Sequence, residues 1–214
     1  MPLTRLDSAR LRHARHYERV LRRADAAYLG GGAAADAALR QFDAEWPNIA
    51  LGQSAAASLR AIDTDAARCC SDYGNAGAAI FAFRLHPRKL IEWFDVAHAA
   101  SCSLSDRASR AAHLHNLGFA RFALGETQSA LDAYEASLEL HQASGNQAGE
   151  ADARAGAAEA WLRLGRVDDA QREHEQRLIT VRRLGDVRAQ AKALGSLASL
   201  RYLRGDFRGA VEYH

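Results

Sequence analysis

Proline is scarce in this chain, with three residues in 214 at Pro2, Pro47 and Pro87, so little in the sequence forbids long helices. Cysteine is equally rare. Cys69, Cys70 and Cys102 make an odd set with a vicinal pair, which excludes a secreted disulfide framework and fits a reducing, cytoplasmic compartment. An excess of one charge is also missing: 28 basic against 26 acidic residues leave a net charge of +2, no electrostatic footprint for nucleic acid or an anionic membrane. No apolar run approaches the ~18 residues of a spanning helix, and Met1-Pro2-Leu3-Thr4-Arg5 leads into charged sequence rather than an apolar leader. Aromatics are sparse, and the hydrophobic fraction of 48% is carried by Ala and Leu.

What remains is rich in Ala, Leu, Arg and Glu and poor in β-branched residues, a helix-forming composition. Asp7 or Ser8 is expected to cap a first helix whose apolar stripe runs Ala14, Tyr17, Leu21, Ala24 and Tyr28. Gly30-Gly31-Gly32 ends it. Leu39, Phe42, Trp46 and Ile49 mark a second helix, in which Pro47 predicts a kink or a fresh start. Asp63 or Thr64 offers the next cap, Gly74 and Gly77 permit close helix packing, and His86-Pro87 breaks the chain again.

The second half repeats itself. Leu117-Gly118, Phe122-Ala123-Leu124-Gly125, Ala130, Tyr134, Leu138 and Gly145-Asn146 are followed forty residues later by Leu162-Arg163-Leu164-Gly165, Ala170, His174, Leu178 and Gly185-Asp186. Forty further come Leu197, Tyr202-Leu203-Arg204-Gly205, Ala210 and His214. Each unit divides into two helices at Gly125, Gly165 or Gly205, and Asn146 or Asp186 can cap the next unit. One hairpin cannot bury both faces, so successive hairpins stack. Upstream, Leu90 and Phe94 hold the register of Ala130 and Tyr134, which places a degenerate copy before the clear ones. The expected organisation is a helical segment over 1–62, a degenerate repeat over 63–105 and a repeat array over 106–214. His214 falls within the third unit's second helix, so the last hairpin reads as unfinished, to be completed in a longer chain or by another copy.

The pattern Leu117-Gly118, Gly125, Ala130, Tyr134, Leu138 resembles the tetratricopeptide repeat (TPR) in its long, forty-residue form, with Ala157-Ala158 and Leu197-Ala198 as departures from Leu-Gly. The stretch from His174 through Gly185-Asp186 looks like the repeats of polarity adaptors that hold extended peptides. The resemblance implies an all-α, right-handed superhelical solenoid of antiparallel helix pairs, preceded here by N-terminal helices. A second resemblance rests on His13-Ala14-Arg15-His16-Tyr17, on Phe42 through Ile49, and on Leu85-His86-Pro87-Arg88 with Trp93. These look like the helical region between nucleotide-binding module and repeats in bacterial signal-transduction (STAND, NB-ARC-type) ATPases. It implies a sensor arm of a larger regulator, although no phosphate-binding loop occurs in this sequence.

Chemistry finds little support. His13 and His16 with Glu18 lack zinc-ligand convergence, and His113 and His115 are two apart, on different faces of a helix. His174 shares the column of Tyr134 and reads as packing. Cys69 and Cys70 are outside any Cys-x-x-Cys frame and read as buried small hydrophobes. No nucleophile elbow, metalloprotease helix or dinucleotide fingerprint is present, so neither an enzyme nor a cofactor is expected.

The first helix of each repeat lines the concave face of such arrays. Carried over from the family, the groove positions are His115, Asn116, Phe119, Phe122 and Ala123; then Asp152, Ala155, Gly156, Glu159, Leu162 and Arg163; then Lys192, Gly195, Ser196, Ser199, Tyr202 and Leu203. The lysine and asparagine that clamp a ligand's terminal carboxylate in some relatives are His115 and Phe119 here, so that clamp is lost. The expectation is a non-catalytic scaffold for a protein partner's peptide or helix carrying an aliphatic anchor. Self-association through exposed end repeats, giving a homo-oligomer, is the alternative.

Overall fold

The computed structural model describes residues 3–211, and all the regular structure among them is helical. The chain divides into two compact units, 1–116 and 117–214. His214 lies outside the described residues.

The first unit holds α1 (Arg5–Leu29), α2 (Gly32–Leu59), α3 (Thr64–Ala76), α4 (Ala78–Arg84), α5 (Pro87–Ser103) and most of α6 (Arg107–Ala123). Thr4, rather than Asp7 or Ser8, caps α1: its Oγ1 accepts from Asp7 N at 3.1 Å and donates to the Asp7 carboxylate at 2.6 Å. Helix α2 runs continuously through Pro47, so of the two expectations, a kink or a fresh start, the fresh start does not occur. Pro47 lies on the exposed side, where the carbonyl deprived of its donor faces water. Phe42 and Ile49, on either side of it, are buried and hold the two halves as one helix. Asp63 caps α3, accepting from Ala66 N at 2.8 Å. Gly77 ends α3, and Asp25 of α1 reaches across to accept from Ile80 N at 2.8 Å in the first turn of α4. The core gathers Phe42, Trp46, Tyr73, Phe81 and Phe94 around Trp93, with Trp46 stacked on it at 5.2 Å and Phe81 edge-on at 5.0 Å. Cys69 and Cys70 are buried here, and burial pushes their thiols up to about 12 and about 11.

The second unit follows the forty-residue period to the residue. Helix α6 is matched by α8 (Gln147–Arg163) and α10 (Val187–Leu203), and α7 (Thr127–Ser144) by α9 (Val167–Leu184), before α11 (Phe207–Val211). Asn146 and Asp186 cap α8 and α10 by accepting from Gly149 N at 3.0 Å and Ala189 N at 2.9 Å. Each of α7 and α9 ends in the same double turn: Gly145 N donates to Gln142 O and Asn146 N to His141 O, and Gly185 with Asp186 repeats this. The left-handed φ at Gly145 and Gly185 (69° and 70°) is what the turn demands.

Within the first unit, α5 closes in the same way. Ser105 N donates to Cys102 O and Asp106 N to Ser101 O, with Ser105 itself at φ 56°. Ser105 is exposed and carries a side chain where the other copies carry glycine. Ser105→Gly is therefore expected to stabilise the protein by about 0.5–1 kcal/mol, the left-handed penalty less the added entropy of glycine. Chemical denaturation of both forms measures it; a destabilised variant would show that Ser105 is unstrained.

Candidate functional site

The face presented by α8 and α10 is built by their shared register. Residues forty apart, such as Asp152 and Lys192 or Glu159 and Ser199, occupy equivalent positions on consecutive first helices. An open depression lies here, lined by Ala155 and Glu159 from α8, by Lys192, Gly195, Ser196, Ser199, Tyr202 and Leu203 from α10, and by Arg177 from α9. Eight of the expected groove positions, Ala155, Glu159, Lys192, Gly195, Ser196, Ser199, Tyr202 and Leu203, thus line one surface. Glu159, Lys192 and Ser199 are exposed, and Tyr202 and Leu203 are 62% and 64% exposed. The Ser199 hydroxyl donates to Gly195 O at 2.9 Å, which leaves its oxygen able to accept from a ligand. Tyr202 stands edge-on to Phe207 at 5.2 Å.

The other expected positions go elsewhere. Arg163 turns back to its neighbouring repeat: its Nη1 donates to Phe122 O at 2.6 Å and its guanidinium lies 3.5 Å over the Phe122 ring. The pair closes the C-terminal end of α6, so Phe122 is half-buried as packing rather than open as a ligand contact. Asp152 and Phe119 are exposed and Leu162 is 36% exposed, none of them among the residues that line the depression. His115 and Asn116 are half-buried and belong to the first unit.

Gly156 is a packing position. A Cβ there would stand 2.4 Å from Tyr134 Cε1, and a Cβ on Gly118 would stand 2.7 Å from the same ring. Tyr134 is wedged between α6 and α8 through these two glycines, beside Ala130, Leu131, Ala157 and Ala160. In the next repeat the ring's position is taken by the smaller His174, and the glycine positions by Ala158 and Ser196. Volume moves from the wedge to its walls, as a closely packed interior requires. His174 is buried, its Nδ1 has no hydrogen-bond partner, and burial lowers its pKa to about 4.

Arg177 is the residue that the repeat reading passed over. It projects from α9, a second helix, whereas the expected groove positions all lie on first helices. The signal was nevertheless in the register: the column that holds Arg177 is Ala97 and Ser137 in the preceding copies. A buried column of small residues here takes a guanidinium.

Among the described residues no group of three or more His, Cys, Asp or Glu side chains is placed to hold a metal, and no helix is long and apolar enough to cross a membrane.

No protein-family model matches the chain, and no curated protein does. Solved structures do resemble it. BtubC (BKLC) from P. vanneervenii is 19% identical, with 96% of this chain and 88% of that one covered at a TM-score of 0.66. The kinesin light chain TPR-like repeats from Podosopora anserina are 15% identical over 99% and 93% of the two chains, at a TM-score of 0.59. Aspartyl phosphate phosphatase F from Bacillus subtilis is 12% identical over 98% of this chain and 70% of its own, at 0.56. The likeness is one of fold. The chain is an all-α stack of TPR-like helix pairs.

Proposed function

We propose that the protein is a non-catalytic interaction scaffold that takes a peptide or helix of a protein partner along the face formed by α8 and α10. The observation that carries this reading is the mixed lining of that face. Tyr202 and Leu203 stay exposed beside Glu159, Lys192 and Ser199, all on positions that the core does not use. An apolar anchor with convergent polar groups suits an extended chain, which needs one fixed side chain and partners for its backbone. Buried thiols that form no disulfide support a reducing, cytoplasmic setting.

The sensor-arm reading places this scaffold in a larger regulatory ATPase. Its support is that Phe42, Trp46 and Trp93, which carry the resemblance, stack in one core of the first unit. The reading frame around this sequence should then encode a phosphate-binding loop; a frame without one sinks the idea.

The scaffold reading is tested by panning the full chain against a phage library of random dodecapeptides. A consensus should emerge, and its synthetic peptide should bind Tyr202→Ala about 30-fold more weakly, the ~2 kcal/mol of an aromatic hot spot. Melting should shift by no more than about 0.5 kcal/mol, as for other exposed replacements. Absence of any enriched sequence, or binders indifferent to Tyr202, Glu159 and Lys192, would overturn the reading. Sedimentation of the same samples reads the alternative, self-association through exposed Tyr202, Leu203, Phe207 and Val211.

A further inference from the structure

Arg177 is 8% exposed, and among the described residues its guanidinium makes no hydrogen bond and no ion pair. Its Nε is fully buried without a partner, while the side chain forms part of the wall of the α8–α10 depression. A buried Nε–H without an acceptor is costly, and native structures rarely leave one without a reason; the terminal nitrogens are not among the buried unpartnered atoms and stay open to a ligand. Glu173, one turn back on α9, is paired with Arg154, and Glu159, the acidic residue that lines the depression, forms no ion pair with Arg177 or Lys192. His174, one turn back on α9, is held neutral by burial and by the charge of Arg177, so it offers no compensation.

We infer that the depression receives an acidic side chain, aspartate or glutamate, of an extended partner peptide, held by Arg177 with Lys192 at the rim. This rests on the scaffold reading above and names the chemistry of its ligand. Geometry supplies the first reason: guanidinium nitrogens in a fixed plane match the two oxygens of a carboxylate. Charge supplies the second. Arg177 and Lys192 against Glu159 leave one net positive charge, which one carboxylate neutralises and a phosphate dianion would overshoot. The apolar residues beside it, Tyr202 and Leu203, exclude water from the pair and take an adjoining aliphatic residue. Repeat register provides the third reason, since Ser137 shows that this column packs well without a cation.

Panning the same dodecapeptide library against wild type and Arg177→Ser in parallel tests the inference. Wild type should select a consensus with Asp or Glu fixed at one position. Its synthetic peptide should lose about 10- to 100-fold in affinity against Arg177→Ser, the range of one charge-assisted hydrogen bond. Changing that acid to its amide should cost wild type the same factor and cost Arg177→Ser nothing further. The variant should melt no lower than wild type, because it installs the residue already found at Ser137. A consensus without a fixed acid, a folded Arg177→Ser of equal affinity, or tighter binding of a phosphoserine version of the peptide would each overturn the carboxylate site. Should Arg177→Ser not fold, the amide substitution measured against wild type and Arg177→Lys decides alone. An empty selection counts first against the scaffold reading, and only through it against the acid.

Discussion

Replacing Gly156 with alanine is expected to destabilise the second unit by about 2–3 kcal/mol, an unusual direction for a glycine inside a helix. In an exposed helix the same change would gain about 1 kcal/mol from propensity. Here the new methyl would meet Tyr134 Cε1, Cζ and Cδ1 at 2.4–2.6 Å, distances at which something must move. The ring cannot retreat, because its other side rests against Gly118 and it is only 3% exposed. Overpacking of this kind costs ~1–3 kcal/mol or more, and with two rigid helices as walls the upper end applies. The melting temperature should fall by ~10 °C or more for a unit of this size. The repeat itself supplies the compensation. Tyr134→His with Gly118→Ala and Gly156→Ser rebuilds the set His174, Ala158 and Ser196 of the next copy, and should recover most of the loss. Thermal unfolding of Gly156→Ser, the triple and the intermediate variants forms a cycle, with Gly156→Ala read beside it. An unchanged melting temperature for Gly156→Ala would show that the wedge is not closely packed.

That wedge also shows what the sequence could and could not disclose. The period was legible because Gly125, Gly145, Gly165, Gly185 and Gly205 all sit at left-handed turns that other residues enter at a cost. The expected divisions at Gly125, Gly165 and Gly205 and the caps at Asn146 and Asp186 are where the helices of the second unit meet. In the first unit the same turn is made by Ser105, forty residues before Gly145, where the register marks the position although the residue is not glycine. No fresh start occurs at Pro47 because the penalty for proline depends on which face loses its donor, and Pro47 lies on the exposed one. The groove was legible in part. Register places Ala155, Glu159, Lys192, Gly195, Ser196, Ser199, Tyr202 and Leu203 on first helices, and these eight line one depression. Register does not report side-chain direction, so it could not show that Arg163 folds back on Phe122 or that Gly156 makes room for Tyr134. Arg177 was missed for a different reason: groove positions were carried over from first helices only, and Arg177 enters from α9.

Acid is expected to unfold this protein well before its carboxylates are neutralised, and buried histidines set the window: His113 and His174, with His141 lowered by burial in the same direction. His113 is fully buried, its Nε2 lies 3.1 Å from Ser71 Oγ, and its Cε1 packs so closely on Gly74 that a Cβ there would stand 2.8 Å away. Burial, aided by the charge of His98 and opposed by Asp106, lowers its pKa to about 4. His174 in the second unit is lowered to about 4 by burial and by Arg177. In the unfolded chain both titrate near ~6.5. The unfolded state therefore takes up protons first, and stability that is complete above about pH 6.5 is lost as pH falls toward about 4. At pH 5 each histidine removes about 2 kcal/mol relative to pH 7. Asp25, Asp72 and Glu135 shift the opposite way: burial raises them, the folded state takes up their protons more readily, and acid recovers part of the loss. The net result should still be a clear fall in denaturation midpoint between pH 7 and pH 5. His113→Gln and His174→Gln should each flatten that slope by removing one titrating group, whatever they do to stability at pH 7. Arg177→Ser should flatten it too, through His174 alone, since taking away the neighbouring cation raises that imidazole toward its unfolded value. A midpoint independent of pH over this range in the wild type would mean that both rings stay hydrated, and that the repeat columns they occupy are looser than their burial implies.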